Sequence, residues 1–472
     1  MVKTQFYLTT TLPYVNAEPH IGFALEIVQA DSLARYQRLR GAEVFFNFGT
    51  DEHGLKIYRK ALESGMEPQA YVDDYAAKFD NLKKALDLSY NSFIRTTDEH
   101  HIRAAQEFWR LCKKSGDIYK RKYTIRYCVG CELEKTDSEL EEGRCPLHPD
   151  LDLEIFDEEN YFFRFSKYQK KLLDLYKKRP DFVVPARKEK EIKLFVEGGL
   201  NDFSISRLKS KMPWGVDVPD DPEHVMFVWF DALINYISAI GWPEDRKSFS
   251  KWWPVYQVAG KDNLRQQAAI WQAMLMSANL PNSQQIFIHG FITVNGQKIS
   301  KSLGNVISPY NLVARYGTDA VRYYLLAKVH PVEDSDFTYD KFEGAYNSDL
   351  ANGVGNLMSR VARLCESSGQ NFAPDRPPGF RSEVVKHMES YRMDLALAEI
   401  WKKISDVDTL IEQQRPWELS GKTLKSALTE LVAHIRQIGF ELQPFLPDTS
   451  SAILKQFSGP RISAAKPLFP RL

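Results

Sequence analysis

The stretch "QFYLTTTLPYVNAEPHIGFALEIVQADSLARYQRLRG", residues 5–41, decides the fold. It opens with a short apolar and β-branched run that is typical of a buried strand. A helical pattern follows the turn and stops at Gly41, a common residue at helix ends. Its apolar residues recur near the helical period, at Ile21, Leu25, Val28, Tyr36 and Leu39. A strand followed by a helix begins a βαβ unit, so the stretch predicts a parallel sheet.

The same alternation continues along the chain. "AEVFFNFGT" predicts a second strand, and "LKIYRKALESG" predicts a second helix that ends at Gly65. Residues 113–225 interrupt this alternation of strands and helices with a cysteine cluster and charge-rich helical patterns, which indicates an insertion. The sheet is then expected to resume with three strands, "VMFVWFDA", "VYQVAG" and "QIFIHG".

From about residue 347 the pattern is helical. Two stripes of apolar residues are spaced three and four apart, as in a helix bundle. They comprise Leu397, Ile400, Ile404, Val407 and Ile411, and then Leu424, Leu428, Leu431, Ile435, Ile438 and Leu442. Core packing accounts for both stripes.

Composition narrows the class of protein. With 472 residues, the chain predicts two or three domains. Lys+Arg and Asp+Glu both count 62, so any basic surface for a nucleic acid must be local. The start of the chain has no signal-peptide pattern, and no stretch approaches the ~20 apolar residues of a membrane span. We therefore expect a cytoplasmic protein that does not engage a membrane.

The turn before the first helix is a candidate phosphate site. A helix N-terminus attracts phosphate through its free N–H groups, and His20 can donate a hydrogen bond there. Gly22 leaves room for a nucleotide close to the backbone. The turn also follows the first strand, where doubly wound sheets bind ligands. A histidine that only caps the helix explains the pattern equally well.

A lysine-bearing loop strengthens this interpretation. "VNGQKISKSLGN", residues 294–305, places Lys298 and Lys301 three apart, with Ser300 between them. Two ammonium groups on a loop can stabilise charge that develops on phosphates in a transition state. By itself, such a loop is more often a solvated lysine turn.

The five cysteines, Cys112, Cys128, Cys131, Cys145 and Cys365, are an odd number, and three of them cluster. Together with His148 the cluster reads Cys-x2-Cys, a thirteen-residue gap, and Cys-x2-His. Paired ligands of this kind are typical of tetrahedral zinc, and three thiolates with one imidazole leave no position for water. The sequence predicts one structural zinc held by Cys128, Cys131, Cys145 and His148.

"PHIG" after the first strand and "KISKS" some 280 residues later together resemble the signature pair of class I aminoacyl-tRNA synthetases. The surrounding residues are most similar to the methionyl-tRNA synthetases, over essentially the whole chain. The similarity includes "GTDEHG", "YCVGCE", "VWFDALINYISAIG", "GKDNL" and "DAVRYYLL". Phe23 departs from the family, which usually has a second histidine there.

The resemblance implies a methionine pocket. Asp51 would hold the α-ammonium group by charge-assisted hydrogen bonds. Gln267 stands where the family usually has a histidine near the sulfur; an amide can donate a hydrogen bond but cannot be protonated. The implied set is Leu12, Tyr14, Asp51, Trp229, Ala232, Tyr236 and Gln267.

The resemblance also implies an ATP site, with Mg²⁺ accompanying the nucleotide. His20, Lys298, Lys301 and Asp51 would be the catalytic residues. The ATP contacts would be His20, Gly22, Glu26, Gly260, Asp262, Ile292, Lys298, Ser300 and Lys301. Glu26 would meet the ribose or the magnesium shell, although a surface charge on the helix is an equal alternative.

For tRNA, the family reads the CAU anticodon on its helical domain. The positions that match are Asn356 and Arg360, four apart on one helix face, and Trp417. A splayed base can stack on an indole and be read by amide or guanidinium groups. Asp408 and Leu410 depart from the family pattern before Trp417.

The expected fold is therefore an α/β protein. A Rossmann-type catalytic domain would have two halves, at 1–112 and 226–304. A zinc-bearing insertion would occupy 113–225, a connector 305–346 and an all-α anticodon-binding bundle 347–472.

The expected activity is formation of methionyl-adenylate from methionine and ATP, then transfer to tRNA(Met), including the initiator, by a monomer that does not bind DNA. Three alternatives remain open at this level. They are a class I synthetase for another aliphatic amino acid, a catalytically impaired tRNA-binding relative, and an unrelated zinc-containing nucleotidyltransferase.

Overall fold

A computed structural model describes residues 4–131, 133–135, 139–299, 304–374 and 379–472. In chain order the strands in these ranges are β1 (Gln5–Thr10), β2 (Glu43–Thr50), β3 (Ser92–Arg95), β4 (Ile118–Cys128), β5 (Leu133–Glu134), β6 (Glu154–Phe163), β7 (Val183–Val184), β8 (Phe203–Ser204), β9 (Ser206–Leu208), β10 (Asp217–Val218), β11 (Asp221–Met226), β12 (Tyr256–Gly260), β13 (Gln285–His289), β14 (Ile292–Val294) and β15 (Ser335–Phe337).

The α-helices are α1 (Ile21–Leu39), α2 (Leu55–Glu63), α3 (Pro68–Asp80), α4 (Leu82–Ala85), α5 (Glu99–Lys114), α6 (Gln169–Lys178), α7 (Ala186–Glu197), α8 (Val228–Ala232), α9 (Asn235–Ser238), α10 (Arg246–Trp252), α11 (Trp271–Ser277), α12 (Pro309–Tyr316), α13 (Thr318–Tyr323), α14 (Tyr339–Ala345), α15 (Asn356–Ser368), α16 (Ser382–Glu389), α17 (Met393–Gln414), α18 (Gly421–Leu442) and α19 (Pro447–Gln456). Wider π-type turns occupy Gln266–Ile270, Tyr324–Lys328 and Tyr346–Gly355.

The central sheet has six parallel strands in the order β3-β2-β1-β12-β13-β7. The strands β1, β12 and β13 are buried along nearly their whole length, as expected for a parallel sheet covered on both faces. The strand order reverses between β1 and β12. A Rossmann-like sheet binds ligands at the carboxyl ends of the strands beside such a reversal, and the predicted fold class is confirmed.

One predicted strand is wrong. "VMFVWFDA" does not rejoin the parallel sheet: β11 ends at Met226, and α8 begins at Val228. Strand β11 pairs antiparallel with β9 and β10 in a separate three-stranded sheet. A short apolar run fits a buried strand and a buried helix equally well, so its periodicity could not separate the two.

The predicted insertion contains a second antiparallel sheet, of order β5-β4-β6-β8, in which β4 and β6 form a long hairpin. It also supplies β7, which pairs in parallel with β13 at the edge of the central sheet. Two residues of strand embedded in a polar region carry no periodic signal, so the sequence did not predict this pairing. The domain boundaries given above remain predictions.

The described chain groups into two compact units. The first comprises the chain up to Pro19, Glu43–Asn81 and Tyr90–Ile288, and it contains the central sheet. The second comprises His20–Ala42, Leu82–Ser89 and His289–Leu472. Helix α1 therefore groups with the C-terminal part of the chain, although it follows β1 in sequence.

In the second unit, α15 to α19 are consecutive helices, as the apolar stripes predict. On α17 every residue of the predicted stripe is buried. On α18 the stripe is buried from Leu428 onward, and Leu424 is half-buried. None of the described helices has an apolar stretch long enough to cross a bilayer.

Candidate active site

A cavity of about 290 Å³ lies in the first unit, at the carboxyl ends of the strands where the sheet order reverses. Its walls come from the loops after β1, β2 and β12 and from α8 and α9. All seven predicted methionine-pocket residues line it, namely Leu12, Tyr14, Asp51, Trp229, Ala232, Tyr236 and Gln267. Residues distant in sequence thus meet in one concave site, lined by both apolar and polar side chains, of the kind that holds small molecules.

The backbone fixes Asp51 in one wall of this cavity. Its N–H donates to the carbonyl of Pro13 over 2.9 Å, and its carbonyl accepts from the N–H of Val15 over 3.1 Å. These bonds join the end of β2 to the segment after β1 as an isolated parallel bridge between Tyr14 and Asp51. Two predicted pocket residues therefore share one rigid piece of backbone.

Glu52, the next residue in the sequence, helps to fix the position of this wall through buried hydrogen bonds. Its carboxylate is fully buried and accepts two bonds from the Arg95 guanidinium, at 2.7 and 2.9 Å. Its own N–H donates to the hydroxyl of Thr96 over 2.9 Å. A buried bidentate pair of this kind sets orientation as well as charge. The sequence reasoning did not single out Glu52, although an acidic residue directly after a buried strand was an available signal.

Helix α8 forms another wall, and a buried contact between His53 and Asp231 links it to the loop after β2. His53 Nδ1 lies 2.9 Å from the Asp231 carboxylate, and both side chains are almost completely buried. Burial raises the pKa of the Asp231 carboxyl, and the neighbouring His53 opposes that shift. Helix α8 carries Trp229 and Ala232, so the pair sets the separation of two cavity walls.

Hydrogen bonds also hold the polar residues at the buried end of the cavity. The Gln267 amide donates to the Tyr236 hydroxyl over 2.8 Å. The Tyr7 hydroxyl donates to the backbone carbonyl of Tyr236, also over 2.8 Å. Tyr236 and Gln267 are each only 2% exposed, so these two side chains are shielded from bulk solvent.

The four predicted metal ligands converge. The ligand atoms of Cys128, Cys131, Cys145 and His148 all lie within 4.8 Å of one another. Cys131 Sγ lies 3.4 Å from Cys145 Sγ and 3.2 Å from His148 Nδ1. Tetrahedral zinc with Zn–S and Zn–N bonds of about 2.0–2.3 Å separates its ligands by about 3.5 Å. The donor set therefore fits one four-coordinate metal ion.

Gly130 is required for this cluster. A Cβ at this position would lie 2.5 Å from the His148 ring, so any side chain would displace a ligand. The carbonyl of Gly130 accepts a bond of 3.1 Å from Lys56 Nζ. Gly130, Cys131 and Lys56 also line the cavity described above. The metal cluster is therefore adjacent to the predicted substrate site rather than remote from it.

In the second unit, His20 is the N-cap of α1. Its Nδ1 accepts the N–H of Gly22 over 3.1 Å. An accepting Nδ1 carries no proton, so the neutral ring keeps its proton on Nε2 and can donate from there. Burial lowers the pKa of His20, which favours this neutral form. The capping role and the phosphate-donor role are thus compatible rather than alternatives.

Gly22 serves the same turn in a way that the sequence did not indicate. An added Cβ would lie 3.0 Å from the His20 ring and 3.6 Å from Ile292. The glycine therefore makes room for the capping imidazole within the protein itself.

Glu26 is not a surface charge. It is 5% exposed, and its carboxylate lies 2.8 Å from His289 Nε2, whose Nδ1 is bonded to the carbonyl of Gly290. Of the two interpretations of Glu26, the surface alternative is therefore wrong. His289 was missed, although a polar residue at the end of the buried strand β13 was a visible signal.

The lysine-bearing loop begins with a tight hairpin turn. Val294 and Gln297 exchange two backbone bonds, and Asn295 and Gly296 between them both have positive φ. This is the two-residue turn for which Asn-Gly is the preferred sequence. The Asp336 carboxylate accepts the Gly296 N–H over 2.7 Å, which holds the turn to β15.

Lys298, another predicted ATP contact, follows this turn and is exposed. Its backbone carbonyl accepts a hydrogen bond of 3.0 Å from the side-chain amide of Asn305. Ser300 and Lys301 lie outside the described residues. Gly260 and Asp262 belong to the first unit, where Asp262 also lines the amino-acid cavity.

The predicted anticodon residues also meet in the second unit. Asn356 and Arg360 lie on α15, and the Arg360 guanidinium is 5.7 Å from the centre of the Trp417 ring. Trp417 is 50% exposed and so is not a core residue. Glu412 accepts a bond of 2.5 Å from Arg360. Asp408 lies 3.9 Å from the same guanidinium, and burial raises the pKa of its carboxyl.

Comparison with known proteins supplies the family. The profile of the family described as tRNA synthetases class I (M) matches residues 6–152 and 150–362. The methionine–tRNA ligase of Thermotoga maritima is 42% identical over 475 residues, covering 96% of this chain and 75% of that protein. That of Brucella suis is 37% identical over 510 residues, covering 100% of this chain and 98% of that protein.

The fold agrees. The structure of Mycobacterium tuberculosis methionyl-tRNA synthetase in complex with methionyl-adenylate superposes with a TM-score of 0.91 at 34% identity, covering 99% of this chain and 100% of that one. Together with the sheet topology and the converging pocket residues, these matches assign the chain to the class I tRNA synthetases of the methionine group.

Proposed function

We propose that this chain is a methionine–tRNA ligase, which activates L-methionine with ATP and transfers the methionyl group to tRNA(Met), including the initiator. The observation that carries the proposal is the single cavity lined by all seven residues expected to bind methionine. The proposal also draws on the relatives above, which are methionine–tRNA ligases over nearly the full length of the chain.

In the first step, the methionine carboxylate attacks the α-phosphate of ATP, and pyrophosphate leaves. Asp51 binds the ammonium group and so orients the carboxylate toward the nucleotide. His20 donates from Nε2 to a phosphate oxygen, and Lys298 and Lys301 balance the charge that develops on the phosphates. Mg²⁺ accompanies ATP and neutralises part of its charge.

Pyrophosphate exchange tests the amino-acid assignment. With methionine, the purified chain is expected to incorporate labelled pyrophosphate into ATP. With leucine, isoleucine or valine, exchange is expected to fall by at least about tenfold, because branched side chains fit this cavity less well. Equal exchange with a branched amino acid would reassign the substrate, and no exchange with any of them would indicate a catalytically impaired relative.

Lys301→Ala tests the lysine loop. We expect adenylate formation to slow by about a hundredfold, since a charge aimed at the transition state is lost, while methionine binding barely changes. Pre-steady-state pyrophosphate release measures the first quantity, and fluorescence titration with methionine measures the second. Release at the wild-type rate would remove Lys301 from the mechanism.

We also propose that the four-ligand cluster holds one zinc ion with a structural role, since three thiolates and one imidazole close its coordination shell. Gly130→Ala is expected to lower zinc affinity by about tenfold or more, because the new methyl group displaces His148. Gly344→Ala is the matched control, since an added Cβ meets no atom there. Zinc content after dialysis against a graded chelator distinguishes the two variants.

For tRNA, we propose that Asn356, Arg360 and Trp417 contact the anticodon. Their juxtaposition on an exposed surface supports this role, because a splayed base needs both a stacking face and hydrogen-bond donors. We further propose that the enzyme acts as a monomer in the cytoplasm. Sedimentation with and without tRNA would test the oligomeric state.

A further inference from the structure

A chain of three buried polar side chains stands at the inner end of the amino-acid cavity. Tyr236 and Gln267 line the cavity, and Gln257, on strand β12, lies behind Gln267. Each of the three is about 2% exposed. Buried amides are costly unless they are hydrogen-bonded, so their pattern of donors and acceptors carries information about the ligand.

The bonds run in one direction. The Gln257 amide nitrogen donates to Gln267 Oε1 over 2.6 Å, and the Gln267 amide nitrogen donates to the Tyr236 hydroxyl over 2.8 Å. A further bond of 2.9 Å, from the Gln272 amide to the backbone carbonyl of Gln267, fixes the main chain at this point. The Gln267 side chain therefore has both its position and its orientation set.

This orientation decides which atoms of Gln267 remain available to a ligand. Its oxygen accepts from Gln257, which is not among the residues that line the cavity, whereas its NH₂ group donates one of its two hydrogens to Tyr236, which lines it. The group that Gln267 can offer to the cavity is thus a donor. A thioether sulfur is a weak acceptor, and a methylene group in its place is none.

We propose that Gln257 is a positioning residue for side-chain specificity: by engaging Gln267 Oε1, it keeps an N–H of Gln267 directed at the methionine sulfur. The inference rests on the proposed function and deepens it. It also explains how this chain provides a hydrogen-bond donor for the sulfur although residue 267 is not ionisable. The amide donor is present at every pH, while a histidine in a buried site changes its donor pattern when it titrates.

The test compares methionine with norleucine, which has a methylene group where methionine has sulfur. In pyrophosphate exchange, Gln257→Met is expected to raise KM for methionine and leave KM for norleucine nearly unchanged. The discrimination between the two should fall about five- to tenfold, the usual size of one hydrogen bond. Neither kcat nor KM for ATP should change.

Gln257→Glu sharpens the test when exchange is measured over a range of pH, because the protonated carboxyl can still donate to Gln267 Oε1, whereas the ionised carboxylate accepts but cannot donate. It should attract the Gln267 NH₂ group and turn the amide oxygen toward the ligand, so that discrimination falls further than in Gln257→Met. Gln285→Met is the matched control, a glutamine on the neighbouring strand β13 whose amide bonds to the carbonyl of Asp181. It should keep the wild-type ratio.

The outcomes are separable. If the wild type shows no methionine-dependent exchange, the proposed function itself fails. If the wild type is active, two results would overturn the positioning role of Gln257. Gln257→Met would either raise KM for methionine and KM for norleucine equally, or leave both unchanged. Should Gln257→Met not fold, Gln267→Met provides the same comparison, and an unchanged methionine-to-norleucine ratio in that variant would equally overturn the inference.

Discussion

In the amino-acid cavity, Tyr236 and Gln267 are buried and bonded to other buried groups, whereas the cluster around Arg360 leaves its groups in contact with solvent. Gln267 is 2% exposed, and Trp417 is 50% exposed. Because bonds within the protein hold Tyr236 and Gln267, the donors of these side chains are already oriented in the structure, as in a preorganised site. The Arg360 cluster instead resembles a surface for a flexible polymer, where stacking and charge tolerate adjustment.

The two regions also differ in how they neutralise charge. Glu52 and Arg95 form a bidentate pair that water scarcely reaches on the carboxylate side. The pair of Arg360 with Glu412 is exposed, and exposed pairs contribute only about 0–1 kcal/mol. A ligand can therefore displace Glu412 from Arg360 at little cost, while the frame behind Asp51 is fixed.

Asp51→Asn should give the largest effect. An uncharged amide cannot balance the substrate ammonium group, so kcat/KM for methionine should fall by about a hundredfold. The dissociation constant for tRNA should stay within twofold, since the cavity and the Arg360 cluster are predicted to act on different ligands. Asp340→Asn, at an exposed carboxylate, serves as the control. An Asp51→Asn enzyme with normal methionine kinetics would remove Asp51 from the substrate site.

Trp417→Ala should affect only the other region. The loss of one stacking surface is expected to raise KM for tRNA about tenfold in aminoacylation. Pyrophosphate exchange without tRNA should stay at the wild-type rate. Tyr339→Ala removes another exposed aromatic ring and should leave both assays unchanged. An equal loss of exchange in Trp417→Ala would mean that the ring stabilises the fold instead.

Glu412→Gln should have a small effect of opposite sign. It removes a negative charge beside the proposed tRNA-binding surface and releases Arg360, so KM for tRNA should fall about two- to threefold at low salt. Glu418→Gln removes a charge that pairs with Arg415 instead. If both substitutions improve tRNA binding equally, the gain reflects net charge and not the release of Arg360.

His20 is half-buried, so its exposure is intermediate between that of Gln267 and that of Trp417. The pH dependence of the exchange rate that arises from His20 should be the smallest of the four effects. Burial lowers its pKa from the ordinary 6.5, so the neutral ring with its Nε2 proton persists below that pH. The exchange rate at saturating substrate should therefore change by less than about twofold between pH 8 and 6.5. An inflection at 6.5 would contradict this assignment.

The same shift has a consequence for stability. Below pH 6.5 the unfolded chain binds more protons at this histidine than the folded chain does, so His20 destabilises the fold as the pH falls. Chemical denaturation of the wild type and of His20→Asn, a residue that also caps helices well, would isolate this contribution.

Much of the site could be predicted from the sequence because its residues sit in local patterns. Cys128 and Cys131 are separated by two residues, a spacing that has few other uses, and Cys145 and His148 repeat it. The resemblance to a family then brought together pocket residues that no local pattern connects, such as Tyr14 and Trp229.

The rest depended on contacts between distant segments. Gln257 lies ten residues from Gln267, and only the packing of strand β12 places their amides 2.6 Å apart. His289 and Glu26 are 263 residues apart, and neither alone reveals the contact between their side chains. The run at Met226 fitted a strand or a helix, and antiparallel pairing with β9 decided between them.

By itself, then, the sequence determined the parallel α/β class and the four candidate metal ligands, because both follow from spacing, while the resemblance to a family supplied the seven residues that line the cavity. Tertiary structure alone decided how those residues are held: which groups of Gln267 bond to Gln257 and Tyr236, which nitrogen of His20 accepts from Gly22, and which carboxylates lie beside Arg360. Hydrogen-bond direction depends on partners brought together by folding, and no spacing along the chain encodes it.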